Sequence, residues 1–155
     1  MKGNDKIITV LNAFLADELT AISQYMVHSE MCANWQYGKL HEATEKRARD
    51  EMKHAEKLIA RIIFLEGRPI VSNLKQISIG ADVPAMHKND WTAEDGAVKS
   101  YNDGIKLAVS VADNGSRDLF ESILKDEEAH IDWLEVQTDQ IGQMGIQLYL
   151  SEQVD

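Results

Sequence analysis

Two segments of this chain place a glutamate three residues ahead of a histidine, each time with an aspartate before the glutamate. They are Asp50-Glu51-Met52-Lys53-His54 and Asp126-Glu127-Glu128-Ala129-His130. On an α-helix, positions i and i+3 lie on one face, so Glu51 and His54 would point the same way, as would Glu127 and His130. The two pairs are 76 positions apart (51 to 127, 54 to 130). The same shift carries Glu18 onto Glu94, Ala21 onto Ala97, Tyr25 onto Tyr101, Asp50 onto Asp126 and Leu58 onto Leu134. The chain reads as a weak internal duplication whose coinciding residues are mostly polar.

The four glutamates fall among apolar neighbours at helical spacing. Glu18 lies on the stripe Leu11, Phe14, Leu15, Ile22, Tyr25, and Glu51 is flanked by Thr44, Ala48, Ala55 and Leu58. Glu94 is flanked by Trp91, Val98 and Tyr101, and Glu127 by Phe120, Ile123, Leu124, Ile131 and Leu134. Carboxylates on core-facing stripes are costly unless a positive partner meets them. A buried network with Arg47, Arg61 or Lys125 would serve any one of them, but gives no reason to repeat acids and histidines at one offset. Two divalent cations do give one: four carboxylates supply four negative charges, and two neutral imidazoles complete the donor set. Oxygen and nitrogen donors without thiolate favour iron or manganese over structural zinc. Glu18, Glu51, His54, Glu94, Glu127 and His130 are therefore the candidate ligands and catalytic residues of a dinuclear centre.

Such a centre needs four helices, and the apolar periodicity supplies them. The spacing predicts helices from Asp5 to about Asn34, from Leu40 to Glu66 (stopped by Gly67 and Pro69), from an Asp82 cap to about Ala112, and from Ser116 to about Met144. Gly142 and Gly145 are expected to interrupt the fourth helix, leaving Ile146 to Gln153 as a short fifth. Short links after the first and third helices imply antiparallel pairs, and the stretch from Gly67 to Ala81 is long enough to cross a bundle end to end. The expected fold is all-α: a four-helix bundle with one long crossover and a short C-terminal fifth helix, residues 1–155 forming a single domain.

Bulk properties narrow the functions. Hydrophobic residues make up 44% and charged residues 27% of 155, an ordinary globular balance with room for a core. A net charge of −10 argues against a nucleic-acid partner and suits a protein that attracts cations. Cys32 is the only cysteine, which excludes a disulfide framework, a thiolate zinc site or an iron–sulfur cluster within one chain. No signal peptide and no membrane span is expected, and a cytoplasmic location follows by default.

The chain resembles the bacterioferritins, the haem-containing branch of the ferritins, over essentially its whole length. The residues that carry the resemblance are LADELTAISQY around Glu18, DEMKHAEKLIARIIFLEG, DEEAHIDWLE and the tail IGQMGIQLYL. The resemblance implies a ferritin-like di-iron domain in which Glu18 and His54 are terminal ligands of one iron, Glu94 and His130 of the other, and Glu51 and Glu127 bridge. It implies a ferroxidase that uses O2 or H2O2 to oxidise Fe2+ and collects ferric mineral inside a homo-oligomeric shell of 24 chains built from dimers. It also implies that Met52, one step of about 100° from Glu51 and so off the metal face, is an axial ligand of a b-type haem shared between two subunits. Met31 and Met86 could line that pocket or be ordinary interface packing. A ferredoxin-type electron donor for iron release is a further implied partner. Tyr25 and Trp133 match aromatic positions the family places near the centre, which core packing would explain equally well.

Two positions depart from the family pattern. Lys46 stands where a histidine often joins Asp50 in holding a further iron on the cavity wall, and Leu58 stands at an aromatic position. They bear on iron delivery through the inner surface and on electron supply. Other readings are a haem-binding electron-transfer or shell subunit with a vestigial di-iron site, and a short erythrin-type di-iron peroxidase. The cysteine-rich rubrerythrin form is excluded by the single cysteine, and a ribonucleotide-reductase radical subunit by length. His28, His41 and His87, without partners at metal spacing, are expected at the surface or in turns.

Overall fold

The computed structural model describes residues 1–155 and is built of five helices: α1 Asp5–Asn34, α2 Gly38–Phe64, α3 Val83–Ser110, α4 Asn114–Met144 and α5 Ile146–Ser151. Three starts are capped by side chains that accept from free backbone N–H groups: Asn4 from Lys6, Asp82 from Ala85 and Asp113 from Ser116. Pro84 sits in the first turn of α3, where its missing N–H costs nothing.

The ends of α1, α2 and α3 share one device. Gln36, Glu66 and Ala112 take φ of 66°, 63° and 58°. The amide of the following residue then returns to the carbonyl five residues back: Tyr37 to Cys32, Gly67 to Ile62 and Asp113 to Ala108. The left-handed residue that ends α2 is thus Glu66, not Gly67. Gly67 is required for space, because a Cβ there would lie 2.7 Å from Ile8 Cγ2. Gly142 does not interrupt α4; Gly145, with φ 79°, makes the break by itself.

α1 packs along α2 and α3 along α4, two antiparallel hairpins joined by the crossover that follows Leu65. Side chains of α1 hold that crossover. Asn12 accepts from the amide of Ile70, Thr20 from that of Lys75 and Gln24 from that of Ser78. One core cluster, with Ile7, Leu11, Phe14, Leu58, Tyr101 and Phe120, fills one end of the bundle. Cys32, Leu40, Val83, Met86 and Tyr149 form a second at the other end, under α5. The polar residues of the repeat occupy the stretch between them. No helix is long and apolar enough to cross a membrane.

Candidate metal centre

All six sequence-predicted ligands converge, one or two from each long helix. Glu18, Glu51, His54, Glu94 and Glu127 are 1–2% exposed and His130 8%. Their donor atoms form two groups, Glu18, Glu51, His54, Glu127 and Glu51, Glu94, Glu127, His130, each with all donors within 4.8 Å of one another. Glu51 and Glu127 belong to both groups, which is the arrangement of two bridging carboxylates between two ions.

The hydrogen bonds around the centre leave one atom of each residue free. Glu18 Oε2, Glu51 Oε1, His54 Nδ1, Glu94 Oε2, Glu127 Oε1 and His130 Nδ1 are buried without a hydrogen-bond partner. Elsewhere in the chain only two guanidinium nitrogens of Arg47 share that condition. Some of these atoms are close, His130 Nδ1 to Glu51 Oε1 at 3.0 Å and His54 Nδ1 to Glu127 Oε1 at 3.2 Å, but without hydrogen-bond angles. Six buried, inward-facing atoms without hydrogen-bond partners are what cations would satisfy.

The opposite atoms are held by an exchange between the two hairpins. Tyr101 OH donates to Glu18 Oε1 and Tyr25 OH to Glu94 Oε1, both at 2.6 Å. His54 Nε2 meets Asp126 Oδ2 at 2.8 Å, and His130 Nε2 meets Asp50 Oδ2 at 3.2 Å. A proton on each Nε2, donated to the aspartate, leaves the Nδ1 lone pair facing inward. Each half of the repeat thus orients the other's ligands, which explains the aspartate that precedes each Glu-x-x-His.

The electrostatics of the cluster follow from crowding. Burial, then the charges of neighbouring carboxylates, push Glu51 and Glu127 well above the usual carboxylate range. Burial would also raise Glu94, but hydrogen bonding with His130 and its charge pull it below the usual value. For His54 and His130 burial acts downward and is outweighed by the surrounding carboxylates, so both are raised. The crowded carboxylates and imidazoles share protons, and a cation bound among them would displace those protons. Burial, followed by the adjacent glutamates, likewise raises Tyr25 and Tyr101, keeping both phenols protonated as donors.

The counter-charge alternative fails on geometry. Arg47 pairs with Asp90 at 2.9 Å, Arg61 with Asp113 at 2.7 Å, and Lys125 is exposed. Of the two aromatic positions, Tyr25 touches the centre through Glu94. Trp133 lies on the far side of Arg47, whose guanidinium is 4.6 Å from the Tyr25 ring centre and 5.3 Å from that of Trp133.

The histidine expectations need correction. His28 is buried; its Nδ1 is 2.8 Å from Asp90 Oδ1 and its Nε2 accepts from the amide of Gly80 at 3.0 Å. His87 is buried beneath α5, 3.0 Å from the Tyr149 hydroxyl. His41 is half-buried and meets Glu30 and Glu45 in an exposed group.

The family model of the ferritin-like domain matches residues 8–144. Bacterioferritin of Rhodobacter capsulatus is 39% identical, covering 100% of this chain and 98% of that protein. Bacterioferritin of Streptomyces coelicolor is 39% identical (100% and 93%), and bacterial ferritin of Paramagnetospirillum magnetotacticum 40% (97% and 93%). The chain belongs to the ferritin family, in its bacterioferritin branch.

The positions where this bacterioferritin-family chain departs from the family pattern are also placed. Lys46 Nζ is 3.0 Å from Asp50 Oδ2, the carboxylate that orients His130. Leu58 is fully buried in the first core cluster. Met52, by contrast, is 47% exposed in a groove between α1 and α2 with Ile22, Met26, Ala48 and Arg49. Met31 lines a neighbouring groove, whereas Met86 is buried in the second core cluster and is no part of that surface.

Proposed function

We propose that the chain is an iron-storage ferroxidase. The observation that carries this is the set of six unpartnered, buried donors in two groups sharing Glu51 and Glu127. As substrate, two Fe2+ ions would bind, one between Glu18 and His54 and the other between Glu94 and His130, with Glu51 and Glu127 spanning both. Each ion gives up one electron. With two protons, the electron pair reduces O2 to H2O2 or H2O2 to two waters. The protein's part is positional: Tyr101, Tyr25, Asp126 and Asp50 hold the ligands, and burial keeps the oxidised ions away from bulk water. The complete donor set speaks against a vestigial centre.

The same reading places ferric product in a homo-oligomeric shell of 24 chains in the cytoplasm. Haem fits the Met52 groove on two grounds: an exposed thioether is a soft, neutral ligand, and Ile22, Met26 and Ala48 give the groove an apolar side, with Ser29, Glu30 and the Arg49–Glu45 ion pair on the other. One chain supplies half a pocket, and Met52 of a second copy would supply the matching thioether from the other side. Held there, the group would supply one-electron redox chemistry suited to reductive iron release, with a ferredoxin-type protein as the donor.

The test is Glu18→Ala and His130→Ala, each followed by stopped-flow absorbance after Fe2+ addition in air. Fast oxidation is expected to vanish in both, with particle size and helix content retained: Glu18→Ala leaves the Tyr101 hydroxyl without its acceptor but also removes one of four crowded carboxylates, and Asp50, the partner freed by His130→Ala, keeps its contact with Lys46. Wild-type rates in both variants would refute the assignment.

A further inference from the structure

A cavity of about 260 Å3 lies between α1 and α3. Its inner end is formed by Glu18, Glu51, Glu94 and Glu127, and its lining also takes in Asp17 and Lys75. The glutamates are buried, whereas the side chains of Asp17 and Lys75 are 30% and 57% exposed, which puts that pair at the mouth. Lys75 belongs to the crossover and forms an ion pair with Asp17. The walls combine small residues, Ala21, Ala93, Gly96 and Ala97, with the larger Gln24, Tyr25 and Gln76.

We propose that Asp17 is the outer capture site for divalent cations travelling to the buried centre, and that Lys75 is the cation they displace. The proposal rests on the ferroxidase reading for its purpose, though not for its geometry. The main chain at Lys75 is fixed, its amide donating to Thr20 Oγ1 at 2.9 Å, so the movable part is the ammonium on its flexible stem. An exposed lysine–carboxylate pair is weak and readily opened. An arriving monovalent cation brings no more charge to Asp17 than the ammonium already there; a divalent cation brings twice as much. Lys75 thereby keeps the mouth closed to monovalent ions, at the cost of slowing divalent ones. Asp17 then stands one residue from Glu18, whose free Oε2 is the next acceptor inward.

Co2+ is a suitable probe because it is redox-silent here and its d–d absorbance reports loading of the centre. Stopped-flow loading of metal-free shells is compared for wild type, Lys75→Gln, Asp17→Asn and the double variant. Lys75→Gln is expected to raise the second-order loading rate about three-fold, and Asp17→Asn to lower it by a similar factor. The double variant should match Asp17→Asn, since Lys75 acts only through Asp17. Final occupancy should be the same in all four. Equal rates in wild type and both single variants would overturn the proposal. So would lost occupancy in Asp17→Asn, which would make Asp17 a part of the centre. Oxygen uptake by the wild type after Fe2+ addition tests the ferroxidase reading separately, and its failure would leave the Co2+ comparison decisive for the capture site.

Discussion

Asp126 is half exposed yet oriented toward the interior, with one oxygen 2.8 Å from His54 Nε2. Its contribution to folding is small for that reason, and its contribution to the centre is orientation of the imidazole. Asp126→Asn is expected to lower Co2+ affinity about 10- to 100-fold while leaving helix content unchanged. Competition with a chromophoric chelator measures this, and an unchanged affinity would show that the aspartate is ornamental to metal binding. The clustering of the six candidate ligands was legible in the sequence because a repeat and a helical period selected them together. Their supports were only half legible. The offset marks Tyr25 with Tyr101 and Asp50 with Asp126, but a shift along the chain says nothing of the exchange across hairpins. His28 and His87 were misplaced because their partners, Asp90 and Tyr149, lie 62 residues away and repeat nothing.

Helices α1 and α3 were readable nearly to the residue because their caps are local: Asn4 and Asp82 bond within their own first turn. The end of α2 was less so, since a left-handed glutamate has no compositional signal while the adjacent Gly67 does. α5 depends on tertiary contacts. Tyr149 OH donates to Gln137 Oε1 at 2.7 Å and meets His87 Nε2 at 3.0 Å. Burial first, then the charge of Arg47, lowers His87 to about 4. An unfolded histidine takes a proton near its ordinary value of about 6.5 while the folded one refuses it until about 4, so its contribution is lost as pH falls through that window. His87→Gln can bond Tyr149 without titrating. Between pH 6.5 and 4 the wild type should lose on the order of 2 kcal/mol relative to the variant. Denaturant unfolding at several pH values measures the difference, and parallel pH curves would contradict the role assigned to His87.

At the scale of the assembled molecule, Met52 allows the proposed haem binding to be tested apart from the proposed iron oxidation. It follows Glu51 on α2 but faces the outer groove, so Met52→Leu leaves the centre intact and should cost under about 1.5 kcal/mol. Purified Met52→Leu shells should lack the haem Soret band and still oxidise Fe2+ at the wild-type rate; stoichiometric haem with an unchanged spectrum would refute the axial role. The proposed shell would leave no mark in the chain's own periodicity, because surfaces between copies need only be complementary to one another. The proposed dinuclear centre is different, its six candidate ligands all coming from the four long helices of one chain. Anaerobic calorimetric titration of the metal-free protein with Fe2+, followed by an O2 pulse, tests it most directly. Two tightly bound Fe2+ per chain, oxidised together with one O2 consumed per pair, is the expected result. Saturation at a single ion per chain, or no saturable binding before mineral forms, would contradict a centre made by Glu18, Glu51, His54, Glu94, Glu127 and His130.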